Sequence, residues 1–274
     1  MKFSRILCAC GALIIALAAC TTQPSGEKFG FKTGDYTVYQ QSKLDTVNAP
    51  IRDSVFRVTS TVIATGLSIG GQNDAVLVID STFAAVSTTR LTRRDSSYYR
   101  VTNDEIYQYF NTGAIGQFLS GASAFNINLA DIVLRGFEPK WIKLGDLKDA
   151  ASAQDFATTG FNATFDVTGF GSIAIAAGVS GKGLGKTSLL LNNTTYSVHR
   201  QSQTIGLKLT LPLLGSLTVP AIQSEYDFGV VSENNTPRTL LRRQFNTVAT
   251  NIPILGAIVF NGQLRTLVSF TPGK

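Results

Sequence analysis

The chain has 274 residues, 24 basic and 18 acidic side chains, three cysteines and one histidine, with 44% of its residues hydrophobic and 15% charged. That composition excludes a disordered or fibrous chain and supports a packed core. A lone histidine supplies no multi-histidine metal site, and a dispersed net charge of +6 forms no stripe of the kind that grips nucleic acid.

Lys2 and Arg5 precede a charge-free apolar run from Ile6 to Ala19. This is the pattern of an export signal. Crossing a bilayer as a helix takes about 20 apolar residues, and the polar Thr21, Thr22, Gln23 and Pro24 leave this run too short for a permanent span. Leu17, Ala18, Ala19 and Cys20 resemble the lipobox of bacterial lipoproteins. The resemblance implies cleavage before Cys20, a diacylglycerol on its sulfur and a palmitate-type acyl anchor. Ala16, Leu17 and Ala18 also satisfy an ordinary secretory A-x-A site, so the two cleavages stand as alternatives. In Gram-negative lipoproteins an Asp after the lipidated cysteine marks inner-membrane retention. Thr21 stands there instead, and the resemblance implies the outer membrane.

The expected organisation is a signal peptide over 1–19, a tether over 20–32 rich in Pro, Ser and Gly, and a single β-rich domain over 33–274. Its halves, about 33–135 and 161–274, are joined by 136–160. Losing Lys2 and Arg5 leaves 22 basic against 18 acidic residues, a charge of +4. Cys8 and Cys10 leave with the leader, so no internal disulfide can form and the core alone must hold the fold.

Along the domain the dominant period is two, which predicts strands. Tyr36 and Val38 open the first, and Phe56, Val58, Val62 and Ala64 share a face of the second. Gly70 and Gly71 break the chain before the apolar run Ala75–Ile79. Tyr99 and Val101, then Ile106–Phe110, make a hairpin about Asn103 and Asp104. Ile115, Phe118, Leu119 and Ala122 have helical spacing, which predicts a short helix within 113–134. A second short helix is expected in 136–160, capped near Asp146 or Asp149. Phe161, Ala163, Phe165 and Val167 alternate with polar residues, and Ile173–Val179 follows. Between Tyr196 and Leu211 the apolar face changes parity, which predicts a bulge near Gln201–Gly206. Tyr226, Phe228 and Val230 carry a further strand, and Asn261, Gly262 signals a closing hairpin.

Some ten antiparallel strands and one or two short helices predict a mainly β (α+β) fold, a large curved antiparallel sheet or partly open barrel. That outline is similar in architecture to the half-barrel carriers and acceptors of the LolA and LolB type. Gly34–Tyr39 and Tyr226–Val231 resemble stretches of β-rich secreted lipoproteins of Gram-negative bacteria.

No catalytic set stands out. Gly181–Thr187 echoes a phosphate loop, but Ser180 occupies the required first Gly, so a glycine-rich hairpin turn is expected. His199 lacks a G-x-S-x-G partner, and the S-x-x-K of Ser25–Lys28 falls in the tether. Glu225 and Asp227 share a strand face, as a glycosidase pair, as cation ligands or as the wet face of an amphipathic strand. Tyr99, Tyr107 and Tyr109, with Tyr98 and Phe110, are candidates to line a ligand groove or to pair across one hairpin. The charge-poor stretches Leu209–Ala221 and Ile252–Phe260 are core strands or the rim of an apolar pocket. The clusters Arg90, Arg93, Arg94 and Arg238, Arg242, Arg243 could meet phosphate or anionic lipid and are read as solvated strand edges.

The expected function is a membrane-anchored envelope lipoprotein, non-enzymatic, with a periplasmic domain on the outer membrane. Its partners would be the membrane, through Cys20, and a lipid or hydrophobic ligand or an envelope protein, with no nucleic acid, metal or cofactor. The alternative is an envelope hydrolase dependent on carboxylates or His199.

Overall fold

The computed structural model describes residues 30–86, 89–112, 135–148, 154–157, 160–167, 171–212, 215–229, 239–252 and 256–274. Cys20, the tether up to residue 29, the helix expected within 113–134 and Arg238 lie outside them. Fifteen strands follow in chain order: β1 Tyr36–Leu44, β2 Pro50–Ile69, β3 Gln72–Phe83, β4 Leu91–Thr102, β5 Glu105–Phe110, β6 Lys140–Asp146, β7 Gln154–Ala157 and β8 Phe161–Val167. The second half holds β9 Gly171–Leu191, β10 Thr194–Leu211, β11 Gly215–Gly229, β12 Thr239–Phe245, β13 Val248–Ile252, β14 Gly256–Phe260 and β15 Gln263–Thr271.

Thirteen of these strands form one antiparallel sheet, in the order β6-β5-β4-β3-β2-β1-β15-β12-β11-β10-β9-β7, with β8 also on β9, while β13 and β14 pair apart. The mainly β, curved-sheet class is therefore the observed one. Three of its hairpins close through two-residue turns with positive φ: Gly70–Gly71, Asn103–Asp104 and Asn192–Asn193. Only Gly, Asn and Asp enter that region cheaply, and such turns match the twist of the strands they join. The first strand lies against the last, β1 on β15, so both ends of the domain are stitched into mid-sheet.

The sheet rolls until its first edge meets its own inner face. The outer edge of β6 reaches β10, where side chains replace the missing ladder. Gln201 donates from Nε2 to the Asp146 carbonyl at 2.7 Å and accepts from the Asp146 amide at 3.1 Å. Gln203 donates to the carbonyls of Lys143 at 2.9 Å and Leu144 at 3.2 Å. Both glutamines are buried. A buried strand edge with unpaired amides is costly, and these two side chains meet that need.

The core holds several apolar clusters. Phe161, Phe165, Ile173, Leu207, Leu209 and Val219 belong to one that also takes Val248 and Phe260 from the small hairpin. Leu209, Leu211 and Val219 are buried, so the described part of the charge-poor Leu209–Ala221 stretch gives one face to the core and the other to solvent. Two further clusters surround a pocket described below.

Four expectations meet the structure differently or in detail. Asp146 ends strand β6 and caps no helix, and β7 follows at Gln154–Ala157, while the alternative cap Asp149 lies outside the described residues. Ile142 and Leu144 alternate in β6 as buried residues, and pairing with β5 overrides the Asp cap signal. Gly181–Thr187 lies inside β9 and makes no turn. Its glycines admit neighbours: a Cβ on Gly181 would sit 2.0 Å from the Phe156 ring of β7. Asn261 and Gly262 do not close a hairpin, since β14 pairs β13 and β15 pairs β1 and β12. Gly262 marks a close crossing, where a Cβ would stand 2.5 Å from the Thr247 amide nitrogen. The parity change in β10 appears as register shifts at Arg200/Gln201 towards β9 and at Ile205/Leu207 towards β11.

Candidate functional site

Four neighbouring strands lay one row of polar side chains across the inner face. Gln41 on β1 stands opposite Arg265 on β15, Arg265 opposite Arg243 on β12, and Arg243 opposite Tyr226 on β11. A second row runs Thr37, Ser60, Asp80 over β1, β2 and β3. Residues opposite one another in antiparallel strands point to the same side, so both rows face inward. All of them but Gln41 line a pocket of about 70 Å³, room for a few waters or one small polar group.

Its apolar wall includes Val62, Val78, Tyr99, Ile106, Leu144 and Phe228. Phe31, just before β1, stacks on Tyr99 with ring centres 5.5 Å apart. It packs against both apolar clusters that flank the pocket. The start of the described chain thus lies at the pocket.

The charges inside are unevenly matched. Arg265 reaches Asp80 at 2.7 Å from one terminal nitrogen and the Gln41 amide oxygen at 3.1 Å from Nε. Its guanidinium also lies 5.5 Å from the centre of the Tyr39 ring. Ser60 donates to the second oxygen of Asp80. Burial pushes the Asp80 carboxyl upward, but the Arg265 charge and these hydrogen bonds outweigh it and hold it below the usual carboxylate value. Asp35 gives its carboxylate to the amides of Lys32 at 2.7 Å and Gly273 at 2.8 Å. Tyr39 donates to the Leu240 carbonyl at 3.0 Å, and burial pushes its hydroxyl up to about 12.

Arg243 is less well matched. Its buried Nε finds no hydrogen-bond acceptor among the described residues. Its guanidinium carbon lies 5.1 Å from the centre of the Phe245 ring. Burial and the neighbouring Arg265 charge press its affinity for the proton down, against the smaller opposing pull of Tyr226, Tyr99 and Asp80.

The three tyrosines named from sequence fall on two sides. Tyr99 lines the pocket. Register sets Tyr99 opposite Gln108, another lining residue, so Tyr107 and Tyr109, its neighbours on β5, face outward. Tyr109 packs with Tyr98 and Trp141 over the Gly70 turn. Tyr107 donates to Glu105, which Lys143 also binds at 2.7 Å.

Glu225 and Asp227 share the outer face of β11, as their spacing implies. Asp227 is wholly buried beneath two arginines, Arg200 at 2.7 Å and Arg242 at 2.8 Å, and Arg242 also binds Glu225. His199 pairs with Phe228 across β10 and β11, whereas Asp227 pairs with Arg200. Alternation sets the histidine and the carboxylates on opposite faces. They do not converge on a shared cleft. No group of three or more His, Cys, Asp and Glu side chains that could hold a metal occurs among the described residues.

Sequence reasoning missed Asp80 and Arg265 and assigned Arg243 to a solvated cluster. A signal existed for Asp80, which has the parity of the buried Val76 and Val78, and for Arg265, which has that of the buried Leu267. A charge at an inward position of an alternating strand is the mark of a polar interior. The Arg242, Arg243 pair was read as one solvated cluster, but adjacent strand residues point to opposite faces. Arg242 clamps Asp227 outside and Arg243 enters the pocket.

No known family model matches the chain, and no curated protein matches it. Two solved structures are similar in chain path. One is a candidate lipoprotein from Parabacteroides distasonis, 10% identical with a TM-score of 0.49, the match covering 89% of this chain and 97% of that one. The other is a candidate exported protein with a YmcC-like fold from Bacteroides fragilis, 8% identical with a TM-score of 0.46, covering 89% and 98%. Likeness at that level says nothing of what either chain binds.

Proposed function

We propose that this chain is a non-enzymatic envelope lipoprotein, moored to the outer membrane through Cys20, whose β-rich domain faces the periplasm and takes a hydrophobic ligand into the rolled sheet. The observation that carries this reading is the pocket, walled by Val62, Val78, Tyr99, Ile106, Leu144 and Phe228 beside Phe31. Ten residue-to-residue steps separate Cys20 from Gly30. Fully extended they span at most about 35 Å, which keeps the pocket within one domain's width of the lipid surface. The chemistry that a hydrolase needs is engaged elsewhere: Asp227 and Glu225 are held by arginines on the opposite face from His199.

Two measurements test the reading. Cys20→Ala should shift the protein from the membrane to the soluble fraction and abolish labelling by a palmitate analogue. Retention with unchanged labelling would overturn the mooring. Organic extraction of the purified full chain, followed by mass spectrometry, should recover a small amphiphile in stoichiometric yield. A protein empty of lipid, yet retained by an envelope protein on cross-linking, would replace ligand carriage with a docking role.

A further inference from the structure

The pocket holds two arginines and two carboxylates, but their pairing is unequal. Asp80 is committed to Arg265 and Ser60, and Asp35 to two backbone amides at the mouth. Arg243 stands next to Arg265 in register, so two cations adjoin, and Asp80, the carboxylate whose charge reaches both, is already bound to Arg265 and Ser60. A buried guanidinium nitrogen without an acceptor is costly. The Arg243 Nε finds none among the described residues, whereas the outer face of the same strand shows Arg242 fully engaged with Asp227 and Glu225.

We infer that Arg243 is the seat for the carboxylate head of a single-chain acyl ligand, whose tail runs along Phe228, Leu144 and Ile106 towards the place held by Phe31. This rests on the ligand-carrying reading above and names the chemical class. One guanidinium with an open Nε calls for one negative charge, and Asp35 and Asp80 already in the pocket disfavour a dianion. A space of about 70 Å³ fits the head and the first carbons. The rest of a chain needs the volume of the Phe31 side chain, which belongs to the segment before β1 and is held there by packing. Tyr226, on the neighbouring strand β11, and Tyr99, on β4, both line the pocket and supply aromatic walls with polar tips.

The test is calorimetric titration of the full chain in lipid nanodiscs, with empty nanodiscs as the blank, using octanoate, 1-octanol, acetate and inorganic phosphate. Octanoate should bind at least about tenfold more tightly than 1-octanol, the range of a charge-assisted hydrogen bond. Arg243→Gln should lower octanoate affinity to that of 1-octanol and leave 1-octanol unchanged, while Arg243→Lys keeps most of the preference. If octanoate and 1-octanol bind alike, or if a normally melting Arg243→Gln protein keeps its preference, the head contact is wrong although the apolar pocket survives. If acetate or phosphate binds through Arg243 as tightly as octanoate, the seat serves a small free anion and the acyl part falls. If none of the four binds, both readings fail. Should Arg243→Gln not fold, the octanoate to 1-octanol ratio in the wild type and in Arg243→Lys decides.

Discussion

Gln201 on β10 grips Asp146 on β6 through both ends of its side-chain amide, giving a hydrogen bond to the carbonyl and taking one from the amide nitrogen of the same residue. A side chain thus imitates a neighbouring strand. Gly145 makes the approach feasible, because a Cβ there would stand 2.8 Å from Cγ of Gln201.

Gln201→Leu should therefore cost about 2 to 4 kcal/mol, since it strands two buried backbone groups at once. Urea denaturation of the full chain reads the loss. Hydrogen exchange should show it concentrated in β6, and uniform exchange across the sheet would argue against a side-chain closure.

Gly181 and Gly183 make a paired test of β9. Alanine at 181 would drive a methyl into the Phe156 ring, so Gly181→Ala should cost about 1 to 3 kcal/mol by overpacking and loosen β7. At 183 the nearest atom, Oε1 of Gln201, is 3.4 Å away. Gly183→Ala should therefore change stability by no more than about 0.5 kcal/mol. Equal effects at the two sites would contradict the packing described.

Asp227 carries no exposed surface and is held by Arg200 and Arg242. Asp227→Asn leaves two cations facing a neutral amide and should cost about 3 kcal/mol or more. The change should lower the melting temperature without altering octanoate binding. A stable variant with altered binding would place Asp227 in the site after all.

Asp80 and Tyr39 set the pH limits of the pocket. With the folded pKa of Asp80 depressed, its contribution is complete above the unfolded carboxylate value of about 4 and is lost as pH falls through the lower folded value. Asp80→Asn should flatten that acid limb of stability. Tyr39 is raised to about 12, so its contribution is complete below the unfolded value of about 10 and disappears between there and about 12. Tyr39→Phe should reduce the alkaline loss and cost about 1 kcal/mol at neutral pH through the bond to Leu240. Tyr107, also raised to about 12, accounts for a remaining part.

The strands were legible because period-two alternation survives at Phe161–Val167 and around Tyr226 and Phe228, and the turns because Asn103–Asp104 and Gly70–Gly71 declare their backbone. Pairing partners were not legible. Asn261–Gly262 carries a strong local hairpin signal, yet the strands beside it pair with distant partners, and only tertiary register decides that. The site stayed hidden because its makers, Asp80, Arg243 and Arg265, lie on three separated strands. Each looks like an ordinary polar residue until the sheet curls and turns its polar rows inward.

The chain enters the sheet through β1, which is laddered on both flanks, to β2 and to β15, with Gly273 fastened to Asp35 beside it. Under the mooring proposed at Cys20, force entering ahead of Gly30 would be shared between two ladders instead of peeling a loose margin. A body hung that way by its first strand would swing and be tugged without unravelling from the point of suspension.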